Sequence, residues 1–212
     1  MPKPRLFCSR LLLFYYFCGM LGLKLATDPR WVNIAEKSLE EILTDHAFCE
    51  QKAATSGISL VIHYSDKEEV VEEVTPLVAE EWGHFRKVLK ELKKRGLKLG
   101  RQRKDEYVNK LLQLKKKGGS REDALLEDLL ICAMIEARSC ERFKVLTENI
   151  KDEELKVFYR DLMISEANHY TAFIGFARQL GNPEAVNSRW EEWLDYEAEI
   201  IKSYGKKESI HG

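Results

Sequence analysis

Two short stretches, EEWGHF at 80–85 and EANHY at 166–170, each place a glutamate three residues before a histidine: Glu81/His84 and Glu166/His169. Residues three apart share one face of a helix. Each pair could therefore offer a carboxylate and an imidazole to one metal ion from the same side. A third match, Glu208/His211, lies near the chain end. With 5 histidines and 35 acidic residues, such a match arises by chance, so position has to decide. Glu50, in CEQKAA, precedes Glu81 by 31 residues (81 − 50), and Glu136, in IEARSCE, precedes Glu166 by 30 (166 − 136). The flanks Glu50-Gln-Lys-Ala and Glu136-Ala-Arg-Ser echo each other, as in a repeated helix pair. Thirty residues before Glu208 stands Arg178, so the third pair has no such companion and is set aside.

Four carboxylates and two imidazoles are hard and borderline ligands that suit iron or manganese, and four negative charges balance two divalent cations. Glu50 is flanked by Ala47, Ala53 and Ala54, small residues that fit a narrow interior. Glu136 follows Ile131, Ala133, Met134 and Ile135, and a carboxylate in so apolar a stretch needs a partner or a metal. Glu141 is the competitor on the same helix. It lies only 25 residues before Glu166 (166 − 141), which breaks the symmetry, and it reads as a partner of Arg138 or Arg142. A metal-bound histidine usually gives its second N–H to a carboxylate or carbonyl. Asp128 and Asp161 are candidates for that role, and His46, one turn before Glu50, could line the same cavity. Trp82, Phe85 and Tyr170 read as packing.

These residues need helices to position them. Asp28-Pro29 opens an amphipathic pattern expected to run to about 63. Ser65-Asp66 can cap the next helix, which Pro76 restarts or kinks before it ends at Gly96. A short basic helix is expected over 105–117, and Gly118-Gly119 breaks it. Ser120 to Asp123 resembles a capping box for a helix to about Asn149. Asp152 caps another that stops at Gly181, and Asn182-Pro183 starts a last helix to about Tyr204. No segment alternates as a strand. The expected fold is all-α. A glutamate on each of two helices and a Glu-x-x-His on each of two others is the ligand pattern of ferritin-like di-iron carboxylate proteins. That makes the expectation a ferritin-like four-helix bundle with additional short helices, covering 20–205, with a loose tail at 206–212.

Residues 1–19 carry basic residues and an apolar run from Leu11 to Phe17. The run is too short to span a bilayer. With Met20 following, the segment reads as an upstream extension or mis-called start, the rival being a secretory signal. Five cysteines, an odd number without a C-x-x-C, argue against a disulfide framework or zinc ribbon.

Charge is distributed unevenly. From Arg86 to Arg121 there are 15 Lys/Arg and three Asp/Glu, a local +12 in a chain of net −1, so the remainder sums to −13. Such an excess beside a metal site points to a polyanion, whose phosphates give salt-dependent and largely sequence-independent affinity. The candidate RNA contacts are Arg86, Lys90, Lys93, Lys94, Arg95, Lys98, Arg101, Arg103, Lys104, Lys115, Lys116 and Lys117. Selection of a base would then fall to a pocket receiving a nucleotide exposed in a loop.

The stretches TDPRW, DHAFCEQKAA, EEWGHF, IEARSCERF and EANHY together resemble the tRNA hydroxylase family MiaE over about 20–205. The resemblance implies a cytoplasmic, non-membrane enzyme with two iron ions, using O2 as co-substrate. It implies hydroxylation of the isopentenyl side chain of 2-methylthio-N6-isopentenyladenosine next to the anticodon of tRNA. It carries the ligand role to Glu50, Glu81, His84, Glu136, Glu166 and His169. No flavin or nicotinamide fingerprint and no rubredoxin-like cysteines are present, so electrons are expected from a separate reductase. The competing reading is a ferritin-like iron oxidase or peroxidase that ignores tRNA.

Overall fold

The computed structural model describes residues 21–203 and residue 210. Among these there are seven helices and no strand: α1 (Trp31–Lys37), α2 (Leu39–His63), α3 (Glu68–Lys94), α4 (Glu106–Leu114), α5 (Arg121–Asn149), α6 (Glu153–Leu180) and α7 (Pro183–Ser203). The readings of residues 1–19 and of Glu208/His211 fall outside the described residues.

Most expected starts and stops are present. Ser120 and Asp123 form a reciprocal capping box at the start of α5. Asp152 accepts from Glu154 N and Leu155 N at the start of α6, and Gly181 follows its end. Asp105 caps α4 through Val108 N, and this helix stops at Leu114, shorter than expected.

Four expectations need correction. The first long helix divides at Ser38, whose φ of −122° and ψ of 42° leave the helical region. Asp28 accepts from Arg30 N in a turn before Trp31 and caps no helix directly. Pro76 does not restart α3; of the restart and the kink, the continuous helix removes only the restart, and Pro76 sits on an exposed position where water can solvate the carbonyl it leaves unpaired. Asp66 does not cap α3 but takes the Arg121 guanidinium at 2.6 and 2.7 Å, tying the start of α5 to the end of α2. Within the expected tail only Ile210 is described; it is buried and donates its N–H to Asp45 at 2.7 Å, and the rest of 206–212 lies outside the described residues.

Two helical hairpins make the bundle. α2 packs along α3 and α5 along α6, with a smaller α3–α6 contact joining the pairs. α5 is central. Leu129, Leu130, Ala133, Met134 and Ala137 are all fully buried, and apolar residues occur around most of its circumference, as expected of a helix enclosed by others. On the opposite side α2 and α5 barely touch, and α4 lies by that gap, packed on α5 and α7. The splay leaves room between the hairpins beside the ligand-bearing turns.

Candidate metal centre

Each of the four long bundle helices delivers its expected residues to one interior point. Glu50 comes from α2, Glu81 and His84 from α3, Glu136 from α5, and Glu166 and His169 from α6; all six are buried. Their ligand atoms form two overlapping groups, Glu50/Glu81/His84/Glu166 and Glu81/Glu136/Glu166/His169, with the atoms of each group within 4.8 Å of one another. Glu81 and Glu166 belong to both groups. His84 Nδ1 lies 3.6 Å from Glu50, 3.8 Å from Glu81 and 3.5 Å from Glu166. His169 Nδ1 lies 2.5 Å from Glu81 and 3.8 Å from Glu136. The two imidazoles stack with centroids 5.6 Å apart.

The donor set fits cations better than it fits itself. Both Glu81 oxygens, Glu166 Oε1, His84 Nδ1 and His169 Nδ1 are buried without a hydrogen bond of acceptable geometry. Even the 2.5 Å approach of His169 to Glu81 is misaligned for one. Buried polar atoms are ordinarily paired, so such a concentration asks for a ligand.

The electrostatics agree. Burial, with Glu136 and Glu50 adding repulsion, pushes the Glu81 carboxyl up to about 7. Burial and the same kind of repulsion from Glu136, Glu81 and Glu50 push Glu166 up as well. Burial also raises Glu50, but the hydrogen bond with His46 and the closeness of His84 outweigh it and hold that carboxyl well below the usual range. Burial pulls both histidines down, and their carboxylate neighbours outweigh it, lifting each to about 9. Protons stand in for cations in this cluster.

The surroundings correct the expected outer partners. Asp161 is exposed on α6, and Asp128 pairs with Lys115. The role belongs instead to Glu80, whose Oε2 lies 3.0 Å from His169 Nε2 and also accepts from Ser165 at 3.3 Å. Glu80 is 56% exposed, so it reaches in from the rim. The signal was inside EEWGHF itself, in a glutamate next to the ligand. His46 is fully buried, with Nε2 2.6 Å from Glu50 Oε1 and its ring against Phe143 and Tyr159. It supports Glu50 from behind. Glu141 is occupied by Arg138 at 2.8 Å and by Thr27 N and Oγ1 at 2.8 and 2.6 Å. Trp82 packs at a tilt against Phe85, and Tyr170 against Trp190.

The gap between α2 and α5 is a cavity of about 850 Å³, and Glu81 and Glu136 lie in its wall. Leu77, Val78, Ile131, Ile135 and Phe173 line it near the carboxylates; Lys52, Asp105, Lys115 and Asp128 add charge. Gly57 is required where α2 meets α3, since a Cβ there would fall 2.5 Å from Val78.

The basic segment folds into the end of α3, the loop to α4, and the loop after α4. Four of its candidates are engaged by acids. Lys94 pairs with Glu154, Arg95 with Glu91 and Asp152, Arg103 with Glu41, and Lys115 with Asp128. Arg86, Lys90, Lys93, Lys98, Arg101, Lys104, Lys116 and Lys117 are exposed. No helix among the described residues is long and apolar enough to cross a membrane.

Residues 20–212 match the family described as tRNA-(MS2IO6A)-hydroxylase (MiaE). The chain belongs to the MiaE family. It is a tRNA-modifying hydroxylase, an oxidoreductase on a ferritin-like bundle. A MiaE relative from Pseudomonas putida, named tRNA 2-(methylsulfanyl)-N(6)-isopentenyladenosine(37) hydroxylase, is 33% identical over 87% of this chain and 89% of its own. A relative of the same name from Salmonella typhimurium is 27% identical over 87% and 85%. The fold matches a Synechococcus protein described as having aldehyde deformylating oxygenase activity, with a TM-score of 0.84 and 30% identity over 90% of this chain and 95% of that one. MiaE membership and the buried Glu/His cluster are together compatible with a di-iron site.

Proposed function

We propose that Glu50, Glu81, His84, Glu136, Glu166 and His169 hold two iron ions, and that the enzyme hydroxylates the isopentenyl group of 2-methylthio-N6-isopentenyladenosine next to the anticodon of tRNA. Iron bound there would supply dioxygen activation, one oxygen atom going to a C–H bond and the other to water, with two electrons from a separate reductase. Such a reaction on tRNA belongs in the cytoplasm.

The observation that carries this reading is the cavity that reaches Glu81 and Glu136. An isopentenyl group is apolar and branched. Leu77, Val78, Ile131, Ile135 and Phe173 give it a matching wall, and they keep water from the buried carboxylates. Glu81 and Glu136 then face the end of the chain to be oxidised. Glu80 and His46 hold ligands in place from outside: Glu80 orients the His169 ring, and His46 fixes one oxygen of Glu50. An iron-storing ferritin would have no use for a cavity of this size and lining. The exposed cations at the end of α3 and around α4 supply the attraction for tRNA.

The test is digestion of tRNA from a deletion strain, followed by mass spectrometry of the nucleosides. The hydroxylated nucleoside should vanish and its unhydroxylated precursor accumulate. An undiminished hydroxylated nucleoside overturns the reading.

A further inference from the structure

We infer that Lys52 and Lys115 bind phosphates on either side of the nucleotide that enters the cavity, so that the anticodon-loop strand lies along α4. This rests on the tRNA reading above and adds the register of the strand to it. Lys52 stands on α2, far in sequence from the basic segment.

Among the described residues, these are the two lysines that line the cavity, and they sit at opposite ends of α4. Lys52 Nζ is 2.6 Å from Asp105, the residue that caps the start of α4. Lys115 follows the last residue of α4 and pairs with Asp128 of α5. From Asp105 to Lys115 is ten residues, which at 1.5 Å per residue is about 15 Å. Stacked phosphates on one strand rise about 3.4 Å each, so about 15 Å spans about four phosphate steps, enough for the inserted nucleotide and at least one neighbour on each side. A strand with one base turned into the cavity can therefore reach both ends of the helix.

Both ammonium groups can take a phosphate without leaving their places. Lys52 and Lys115 keep 32% and 28% of their side chains exposed. An ammonium has three donors, and one carboxylate uses only part of that capacity. The aspartates hold the ammonium groups at the rim, so less side-chain freedom is lost when phosphate arrives. The surroundings continue the path. Arg101 and Lys104 precede α4, and Lys116 and Lys117 follow it, all exposed. α4 itself presents Val108 and Leu112 to the cavity, where a base passing over the helix would meet apolar surface. A chain of cations therefore brackets the opening at both ends of α4, with Val108 and Leu112 between them.

The test is binding of tRNA to the iron-loaded protein across a salt series, for wild type, Lys52→Gln, Lys115→Gln and the double variant. Each single substitution should lower the slope of log affinity against log salt by about 1, and the double by about 2. Lys52→Arg and Lys115→Arg should keep the wild-type slope. A role confined to tethering α4 would change stability and leave the slope alone. Variants that keep the full slope overturn the inference while wild-type binding leaves the tRNA reading intact. A wild-type protein with no salt-dependent tRNA binding overturns both.

Discussion

α5 carries two groups of buried carboxylates that differ in what surrounds them. At Arg138 the chain completes its own group. Arg138 Nε and Nη2 reach Glu197 at 2.7 and 2.9 Å, and Nη1 reaches Glu141 at 2.8 Å. Tyr107 and Thr27 supply further donors. Two residues earlier, Glu136 faces the other way, into a group with Glu50, Glu81 and Glu166. There no arginine or lysine arrives among the described residues, and five buried ligand atoms are without a hydrogen bond. The residue types and burial are alike. The supply of positive charge differs. A carboxylate group finished by arginine holds helices together; one left short of cations has ligand atoms to offer them.

The largest expected effect breaks the second group. Glu136→Ala should lose metal and reduce hydroxylation to background, yet leave the metal-free protein as stable as before or more so, because it removes one of several repelling buried carboxylates. Metal content and urea unfolding of the metal-free form measure the two sides. Marked destabilisation of the metal-free variant would mean that Glu136 is a structural residue like Glu141. The next effect breaks the first group. Arg138→Met strands Glu197 and Glu141 in the core, and removing one partner of a buried ion pair costs about 3–5 kcal/mol. The urea midpoint should fall accordingly, while the metal bound per folded molecule stays at the wild-type value. Loss of metal from the folded variant would erase the distinction between the groups.

The contrast also shows what the sequence could reveal. The six candidate ligands were legible because repeated spacing puts equivalent turns of two hairpins at one level of the bundle. Glu141 could be set aside by the same spacing, before Arg138 was seen beside it. Helix ends at Ser120, Asp152 and Gly181 were legible because capping is local chemistry. The break at Ser38 was not, since the apolar pattern runs through it and only the backbone turns. Glu80 was hidden for another reason. Its role depends on the approach of α6, which places His169 and Ser165 within its reach. Lys52 was hidden likewise, because α4 returns to it only in three dimensions. Four of the twelve basic candidates proved to be engaged by acids from distant helices, which no local charge count can show.

A smaller change sharpens the boundary of the metal group. Glu80→Ala removes the acceptor for His169 Nε2, and outer partners of this kind are worth about 10–100-fold in metal affinity. Glu80→Gln keeps an acceptor oxygen and should fall between the two. Competition against a metal-binding dye gives the affinities, and the spectrum of the bound metal reports whether the imidazole has turned. An unchanged affinity in Glu80→Ala would confine the functional group to its six buried members.

The smallest effect is in protons. His84 and His169 are lifted to about 9 and Glu81 to about 7, so at neutral pH the metal-free cluster carries protons that cations must displace. Metal affinity should therefore rise from pH 7 to 9, with more than two protons released as the whole cluster fills near pH 7. Stability of the metal-free form should move the other way. For the histidines, a folded pKa above the unfolded value means a contribution complete below about 6.5 and lost as pH rises through about 9. For Glu81, the raised value means a contribution lost as pH rises from about 4.5 through about 7. The Arg138 group gives no such loss in this range, because its arginine remains charged. Calorimetric titration in buffers of different ionisation enthalpy counts the protons released. Urea midpoints of metal-free wild type and Glu136→Ala across pH 5 to 9 test the opposite slope, which should be shallower in the variant because one repelling carboxylate is gone. Equal slopes would place the titrating groups outside the cluster.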